Sequence, residues 1–381
     1  MEKEAVFTVK KIKNYTRKNM KLFYLPVLFI SLFSCQKYET EKNCFEGEKE
    51  KSTKYKEFKI DSPEEIIKAN PDHVKFITNK DIKSYQDEFN DERNIALDDE
   101  NSWKKKFEKY KTKYSSLIKN FGEQFNYINI QEKNNIIYGI GENQFGYWFL
   151  EVKNNISSAY YLGLSKFTHF NDKQPENFIK NNKLFAYGSF IRISESWGYP
   201  FGPPIEAVKD QLTFEIDLNT VRKDSDNDRF NDLFEKLILL NPNSADTDND
   251  GIQDFTDVNP LYKSEKSKFT DLYSQVIDDE YQSYNFSKNN YSFTGYFSDC
   301  DYFQKMNPAN VKVLIYPEKE RYNLKSDYKL NMFPEYFGKI KKDKNVNKFY
   351  INYGSGAGGG FIEVDFKKGK WVLIKKSTYV I

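Results

Sequence analysis

Hydrophobic and polar residues follow two different periods along this chain. From Ser62 to about Phe121, apolar residues recur every three or four positions, which is typical of amphipathic helices. Ser62 and Pro63 suit an N-cap and a first helical turn. One helical face carries an apolar stripe that we expect to face the core: Trp103, Phe107, Tyr110, Tyr114 and Leu117.

From Phe125 the period changes to two, which predicts β-strands. Asparagine pairs such as Asn134-Asn135 and Asn154-Asn155 favour tight turns between them. The predicted strands are 127–130, 136–140, 145–152, 158–164, 184–193 and 212–218. This part of the chain therefore predicts an antiparallel β domain. Its aromatic, proline-containing segment 197–204 is interpreted as an ordered loop and as a candidate binding edge.

The last part of the chain predicts one amphipathic helix, 263–284, followed by strands, which favours an α+β fold. The predicted strands are 291–297, 311–316, 348–353, 361–366 and 371–375. Residues 354–359 match G-x-G-x-x-G, but a strand follows instead of the helix that a dinucleotide site needs. We therefore interpret these glycines as part of a bulged hairpin.

Two acid-rich stretches lie between these regions and share one spacing. Oxygen donors fall at positions 1, 3, 5, 9 and 12, and position 7 offers a backbone carbonyl. The predicted ligands are Asp224, Asp226, Asp228, Phe230, Asp232 and Glu235 in the first loop, and Asp246, Asp248, Asp250, Ile252, Asp254 and Asp257 in the second. Because Ca²⁺ takes six to eight oxygens at about 2.3–2.6 Å, whereas Mg²⁺ prefers a smaller octahedral cage, this spacing predicts two calcium sites.

The segment from about Val221 to Leu261 resembles the bacterial thrombospondin type 3 repeat, in which acidic loops alternate with a short helix ending in an Asn-Pro turn. Asn241-Pro242 stands in that place here. Position 6 is Gly251 in the second loop but Arg229 in the first. A side chain makes the required positive φ costly by about 1 kcal/mol, so the first loop is expected to bind more weakly. The longer Glu235 at position 12 supports bidentate ligation better than Asp257 does.

Charge supports coupling between metal binding and local folding. Residues 224–257 hold nine Asp and one Glu against Arg229 and Lys236, a net charge of −8, although the whole chain is +2. Bare carboxylates this close repel one another, so we expect the segment to fold as it binds cations. We expect a structural calcium module that stiffens an acidic hinge between two separately packed bodies.

The N-terminal region predicts export. Basic residues precede an apolar run of twelve, Leu22 to Phe33, which is too short to span a bilayer comfortably and is typical of a secretory signal. Met20 is a candidate start. The segment ending at Ser34-Cys35 resembles a bacterial lipoprotein signal. That resemblance implies a lipid anchor on Cys35, and Gln36 favours an outer-membrane or cell-surface location.

These patterns together predict a multidomain, β-rich protein. The expected parts are a signal region (1–35), a polar tether (36–60), helices plus an antiparallel β domain (61–220), calcium repeats acting as a linker (221–262) and an α+β domain (263–381). Cys44 and Cys300 remain after Cys35 is assigned to lipid, and the sequence leaves open whether they form a disulfide or stay unpaired.

Composition narrows the function class. The near-neutral net charge argues against nucleic-acid binding, and the two histidines, His73 and His169, are not spaced for metal. The leading interpretation is a non-enzymatic, lipid-anchored surface protein that binds another macromolecule or a glycan. A calcium-stabilised extracellular hydrolase of glycans or peptides is the alternative, and an immunity lipoprotein is a third possibility.

Overall fold

The computed structural model describes residues 43–46, 59–95, 100–193, 205–281, 289–321, 335–344, 347–355 and 358–380. The predicted signal region, Cys35, most of the polar tether and the aromatic loop 197–204 lie outside these residues. Among the described helices, none combines the length and the apolar character needed to cross a membrane.

The chain divides into two compact units. One unit contains 1–52, 299–303 and 337–381, and the other contains 53–298 and 304–336. This division differs from the predicted domains, because the expected α+β domain 263–381 is shared between both units. The acidic segment 221–262 lies inside the second unit and is not a spacer between two bodies, since its apolar residues are part of that unit's core.

The second unit begins with short helices. These are α1 (Pro63–Lys68), α2 (Tyr85–Ile95), α3 (Glu100–Lys113) and α4 (Ser115–Phe121), with the strand β1 (Val74–Thr78) between α1 and α2. A capping box starts α1: the Ser62 hydroxyl accepts a hydrogen bond from the Glu65 amide, and the Glu65 carboxylate accepts one from the Ser62 amide. The sequence had indicated no strand here.

The predicted apolar stripe is only half buried. Tyr114 and Leu117 lie in the core, and Tyr110 reaches the sheet through its hydroxyl, which accepts a hydrogen bond from the Tyr127 amide at 2.7 Å. The expectation of burial was wrong for Trp103 and Phe107, which are 52% and 55% exposed. The stripe therefore runs out of the core toward the N-terminal end of α3.

A four-stranded antiparallel meander follows, in the order β2-β3-β4-β5, which confirms the prediction of an antiparallel sheet. Its strands are β2 (Asn126–Lys133), β3 (Ile136–Asn143), β4 (Gly146–Lys153) and β5 (Ile156–Tyr161). Both residues of Asn134-Asn135 and of Asn154-Asn155 have positive φ, between 52° and 61°. Asparagine tolerates this conformation, which two-residue hairpins require.

A second antiparallel sheet has the order β1-β9-β8-β6, and β7 also pairs with β8. It is built from β1 and from β6 (Thr168–Phe170), β7 (Ile179–Lys180), β8 (Lys183–Ile193) and β9 (Ile205–Asp217). The short strands β6 and β7 were not predicted. They are too short to show a two-residue period, and their pairing to β8 defines them.

Strand β4 is buried on both faces and separates two apolar cores. Tyr147 and Phe149 point into a core shared with the second sheet. Trp148 and Leu150 point the other way, into a core that also contains α4 and the acidic segment. Successive side chains on a strand alternate between faces, so one strand supports both cores.

Further elements of the second unit lie within the acidic segment or flank it along the chain. They are the helices α5 (Leu218–Val221), α6 (Asp232–Ile238) and α7 (Lys268–Glu280), and the parallel pair β10 (Thr294–Phe297) and β11 (Val313–Tyr316). Helix α6 ends at Ile238, and its C-cap Leu239 has a φ of 65°, two residues before Asn241-Pro242. A short helix therefore precedes the Asn-Pro turn, but it begins at Asp232, within the first acidic loop, and does not lie wholly between the two loops.

The first unit contains a four-stranded sheet and a disulfide between Cys44 and Cys300. The sheet order is β12-β13-β14-β15, with β12 (Glu335–Lys342), β13 (Lys348–Ser355), β14 (Gly358–Lys367) and β15 (Lys370–Val380); the short helix α8 (Asp301–Gln304) follows Cys300. Gly354 pairs with Gly359 across the antiparallel β13 and β14, as expected for a glycine-containing hairpin and not for a nucleotide site.

Candidate metal centre

The two acidic loops adopt the same backbone conformation. Position 4 has positive φ in both, 64° at Asn227 and 60° at Asn249. Position 6 also has positive φ in both, 96° at Arg229 and 98° at Gly251. The glycine adopts this conformation readily and the arginine does so at a cost, as predicted from the sequence.

The hydrogen bonds inside the two loops also match position by position. The carboxylate at position 1 accepts a hydrogen bond from the backbone amide of position 6. The carboxylate at position 3 accepts one from the amide of position 5, and the carboxylate at position 5 accepts one from the amide of position 7. These distances are 3.1, 3.2 and 2.7 Å in the first loop and 2.8, 3.0 and 2.9 Å in the second. The backbone amides thus orient the carboxylates at positions 1, 3 and 5.

The carboxylates at position 9 have a different role. Asp232 accepts hydrogen bonds from the amide and the hydroxyl of Ser225, at 2.8 and 2.9 Å. Asp254 accepts the equivalent pair from Thr247, at 2.9 and 2.6 Å. Both oxygens of each carboxylate accept hydrogen bonds from the residue at position 2. Asp232 and Asp254, although predicted as ligands, thus link position 9 to position 2 within their own loops.

The other carboxylates converge. Oxygens of Asp224, Asp226 and Asp228 all lie within 4.8 Å of one another, and so do oxygens of Asp246, Asp248 and Asp250. The side chains at position 12, Glu235 and Asp257, are 0% and 2% exposed. Phe230 and Ile252, predicted to offer carbonyls, donate their amides to position 5 of their own loop.

Several of these buried oxygens have no hydrogen-bond donor within the described chain. They include both oxygens of Glu235 and one oxygen each of Asp226, Asp228, Asp248 and Asp257. Buried carboxylate oxygens without a partner are costly, because they have lost their hydration without replacement. Each loop therefore holds a set of oxygens suited to a divalent metal ion.

The electrostatic effect of this crowding is large. Burial, reinforced by the neighbouring Asp226 and Asp228, raises the pKa of Glu235 to about 9. Burial likewise raises the pKa of Asp228 and of Asp248 to about 7, and that of Asp257 to about 6. Without a metal ion, the loops hold protons that carboxylates on a surface would have lost.

Aromatic packing fixes the loops to the core. The ring of Phe230 is fully buried and lies 5.2 Å from that of Phe255, centroid to centroid, so an aromatic residue of the first loop contacts one of the second. The guanidinium of Arg229 lies 4.1 Å from the centre of the Phe255 ring. This contact gives the strained first loop a stabilising interaction with the second.

A buried asparagine joins the first loop to the meander. The Asn231 side chain donates to the carbonyl oxygens of Tyr161 and Val221, at 2.9 and 2.7 Å, and accepts from the Tyr161 amide at 3.1 Å. Its position directly before α6 is the one signal in the sequence that could have suggested a structural role, as a helix N-cap.

Lys312 is the least expected member of the site. Its side chain is fully buried, and its Nζ donates to the Phe255 carbonyl oxygen at 2.6 Å. The ammonium also lies 5.2 Å from the Phe293 ring centre. Burial lowers the pKa of Lys312 to about 7, and the carboxylates of Asp257, Asp228 and Asp254 oppose this shift. Lys312 belongs to the strand region after the repeats, so loop spacing could not reveal it.

Comparison with known proteins adds no relationship: no family model, curated protein or solved structure matches this chain.

The raised carboxyl pKa values predict an unusual pH dependence for the metal-free protein. These groups bind protons more tightly when folded than when unfolded, so stability is lost as pH rises from about 4 through the folded pKa values, which are about 6 for Asp257 and about 7 for Asp228 and Asp248. The lowered pKa of Lys312 makes stability rise with pH, but only above about pH 7. Thermal denaturation of metal-free protein should therefore show a falling midpoint between about pH 5 and about pH 7. A rising midpoint would contradict the expectation.

Replacing Lys312 should affect the metal-free protein most. Lys312→Met removes the hydrogen bond to the Phe255 carbonyl oxygen in both states, and in the metal-free state it also removes a positive charge near Asp257, Asp228 and Asp254, so the loss of stability should be larger there. With a metal ion bound, the carboxylates are neutralised, and we expect only the loss of about 1–3 kcal/mol from the unsatisfied Phe255 carbonyl. Urea denaturation with calcium and with chelator measures both values. An equal loss of unfolding free energy in the two conditions would show that Lys312 is not energetically coupled to the metal sites.

Proposed function

We propose that the two acidic loops bind two Ca²⁺ ions, which hold the core of the second unit together. The observation that carries this proposal is the group of buried carboxylate oxygens without hydrogen-bond donors, above all both oxygens of Glu235. An acidic surface cluster would be hydrated and would need no ion. These oxygens are buried, and a cation supplies the missing partner.

Calcium fits these donors better than other common metals. Every predicted ligand is an oxygen, which excludes the nitrogen and sulfur sets that zinc favours. The loops mix carboxylates with a backbone carbonyl and are held by amide hydrogen bonds, as a large and irregular coordination shell requires. Sites of this kind in extracellular proteins work at about 10⁻⁴–10⁻³ M, a range that keeps a structural ion bound outside the cell.

The proposed role of the ions is to stabilise the fold. Phe230 and Phe255 lie in the core beside β4, so the loops cannot rearrange without disturbing that core. Metal binding that is confined to the folded state stabilises it by about 2.7 kcal/mol per site at a hundred times the dissociation constant. The calcium module is thus proposed as part of a domain core.

Calorimetry tests the metal proposal. The full chain should bind two Ca²⁺ ions, and calcium should raise its thermal midpoint. Glu235→Gln should abolish binding in the first loop, and Asp257→Asn in the second, each leaving one ion bound. Glu132→Gln, an exposed position on β2, makes the same chemical change outside the loops and serves as the control. Absence of binding heat at millimolar calcium would end the proposal.

We further propose that the protein is exported and anchored to the outer membrane or cell surface through a lipid on Cys35. The support is in the sequence: basic residues, an apolar run from Leu22 to Phe33, and a small residue before the cysteine. One acyl chain binds a membrane only marginally, so several chains on one cysteine would be needed for a firm anchor.

Metabolic labelling with a radioactive fatty acid in a bacterial host tests this anchor. The wild-type chain should incorporate the label and fractionate with membranes, and Cys35→Ala should do neither. Cys44→Ala is the matched control, because it removes a cysteine close by but leaves the signal intact. Equal labelling of wild type and Cys35→Ala would refute lipidation at this residue.

A binding or structural role is proposed in preference to catalysis. Both histidines take part in hydrogen bonds that support the fold. The His73 Nε2 lies 2.9 Å from the Leu162 carbonyl oxygen, and the His169 Nε2 lies 3.3 Å from the Glu88 carboxylate. The partner of this surface protein, a macromolecule or a glycan, would be recognised outside the calcium loops.

A further inference from the structure

Helix α3 presents a second surface with a distinct chemistry. It carries six lysines and two glutamates, so it is strongly basic within a chain of net charge +2. Trp103 and Phe107 are exposed on it, although they continue the apolar stripe that is buried at Tyr114. Large apolar side chains on a basic helix are a signal of an interaction surface.

The residues are arranged as in helices that lie in a membrane interface. At 100° per residue, Trp103, Phe107, Tyr110 and Tyr114 fall within about 60° of one another around the helix axis. Lys106 and Lys111 then lie about 70° to either side of that stripe. An apolar centre flanked by lysines is the pattern of an interfacial amphipathic helix.

The flanking lysines follow the aromatic rings. The Nζ of Lys111 lies 4.2 Å from the centre of the Phe107 ring, and that of Lys106 lies 5.9 Å from the centre of the Trp103 ring. The two ammonium groups thus lie over rings of the apolar stripe, and that of Lys111 is also 3.6 Å from the Glu108 carboxylate. Lysines in this arrangement reach lipid phosphates while the aromatic rings enter the interface.

The stripe also forms one wall of a groove of about 920 Å³. Ile118, Phe125 and Tyr127 contribute apolar surface to it, and Lys119 adds a further positive charge. Among the described residues that line the groove, Glu123 is the one carboxylate. An apolar recess with a positive border is complementary to an anionic lipid, which combines an acyl chain with a phosphate.

We propose that the exposed face of α3 docks on the surface of an anionic lipid bilayer. Trp103 and Phe107 enter the interfacial region, and Lys106 and Lys111 contact the lipid phosphates. This docking is separate from the two calcium sites and from acylation of Cys35. It adds a second membrane contact, made by the folded second unit itself.

Fluorescence quenching by brominated phospholipids tests the docking. The full chain with Cys35→Ser, which carries no acyl group at that position, is reconstituted in phosphatidylcholine vesicles with or without phosphatidylglycerol. The apolar run 22–33 is present in every sample, so any membrane contact that it makes is common to both vesicle types. The emission lost on making Trp103→Phe identifies the Trp103 signal among four tryptophans.

Bromine on the acyl chains should quench the Trp103 signal on anionic vesicles, but not on phosphatidylcholine alone or in high salt. Lys106→Gln with Lys111→Gln should weaken docking about 30-fold, since each basic residue contributes separately at an anionic surface. The matched control, Lys133→Gln with Lys153→Gln, changes two exposed lysines of the meander and should leave quenching unchanged.

Three results would overturn the proposal: quenching that is equal on both vesicle types, quenching on neither, or an equal loss in the control pair. A blue shift of Trp103 emission on adding soluble polyglutamate, without quenching by lipid, would assign this face to an acidic protein instead. Circular dichroism of each variant verifies folding, which exposed positions should not disturb.

Discussion

Carboxylates that water cannot reach constrain the whole second unit. The loops place Asp228, Glu235 and Asp257 beside an aromatic core, where ionised groups are unfavourable. Three kinds of partner offset this cost: backbone amides within the loops, the ammonium of Lys312, and, in our proposal, two calcium ions. The loops and the core are therefore energetically coupled, and neither reaches its final state alone.

This coupling explains why the acidic segment is not a linker. Its net charge of −8 indicated a self-repelling hinge. Phe230, Phe234 and Phe255 alternate with the acidic positions and are buried with Trp148 and Tyr291. Apolar residues interspersed among metal ligands tie each loop to the sheet, so charge density alone was a poor guide to the packing of this segment.

Local patterns predicted local structure well. Strands β2 to β5 were recognisable because their two-residue period is interrupted at turns, two of which are asparagine pairs. Strand β1 was missed inside a segment interpreted as helical, since its partner β9 lies far along the chain. The disulfide was left open for the same reason: Cys44 and Cys300 are separated by 256 residues.

The candidate metal centre shows the same contrast between features set by nearby residues and features set by residues far along the chain. Spacing predicted the two carboxylate triplets that the structure brings together, Asp224, Asp226 and Asp228 in the first loop and Asp246, Asp248 and Asp250 in the second, because these depend on neighbours within twelve positions. It could not separate Asp232 and Asp254, which close the loops, from carboxylates that face the centre. It also could not find Lys312. The net charge of the whole chain concealed the basic character of α3, because the negative charge of the acidic loops cancels it in the sum.

The disulfide between Cys44 and Cys300 also bears on the distance between a lipid on Cys35 and the first unit. Cys44 is bonded to Cys300, and the next residue, Phe45, pairs with Ile340, so the chain is held to the first unit from Cys44 onward. Residues 36–43 then separate an acylated Cys35 from that unit, and eight extended residues span at most about 29 Å. A lipid on Cys35 would hold the first unit within a bilayer's thickness of the headgroups.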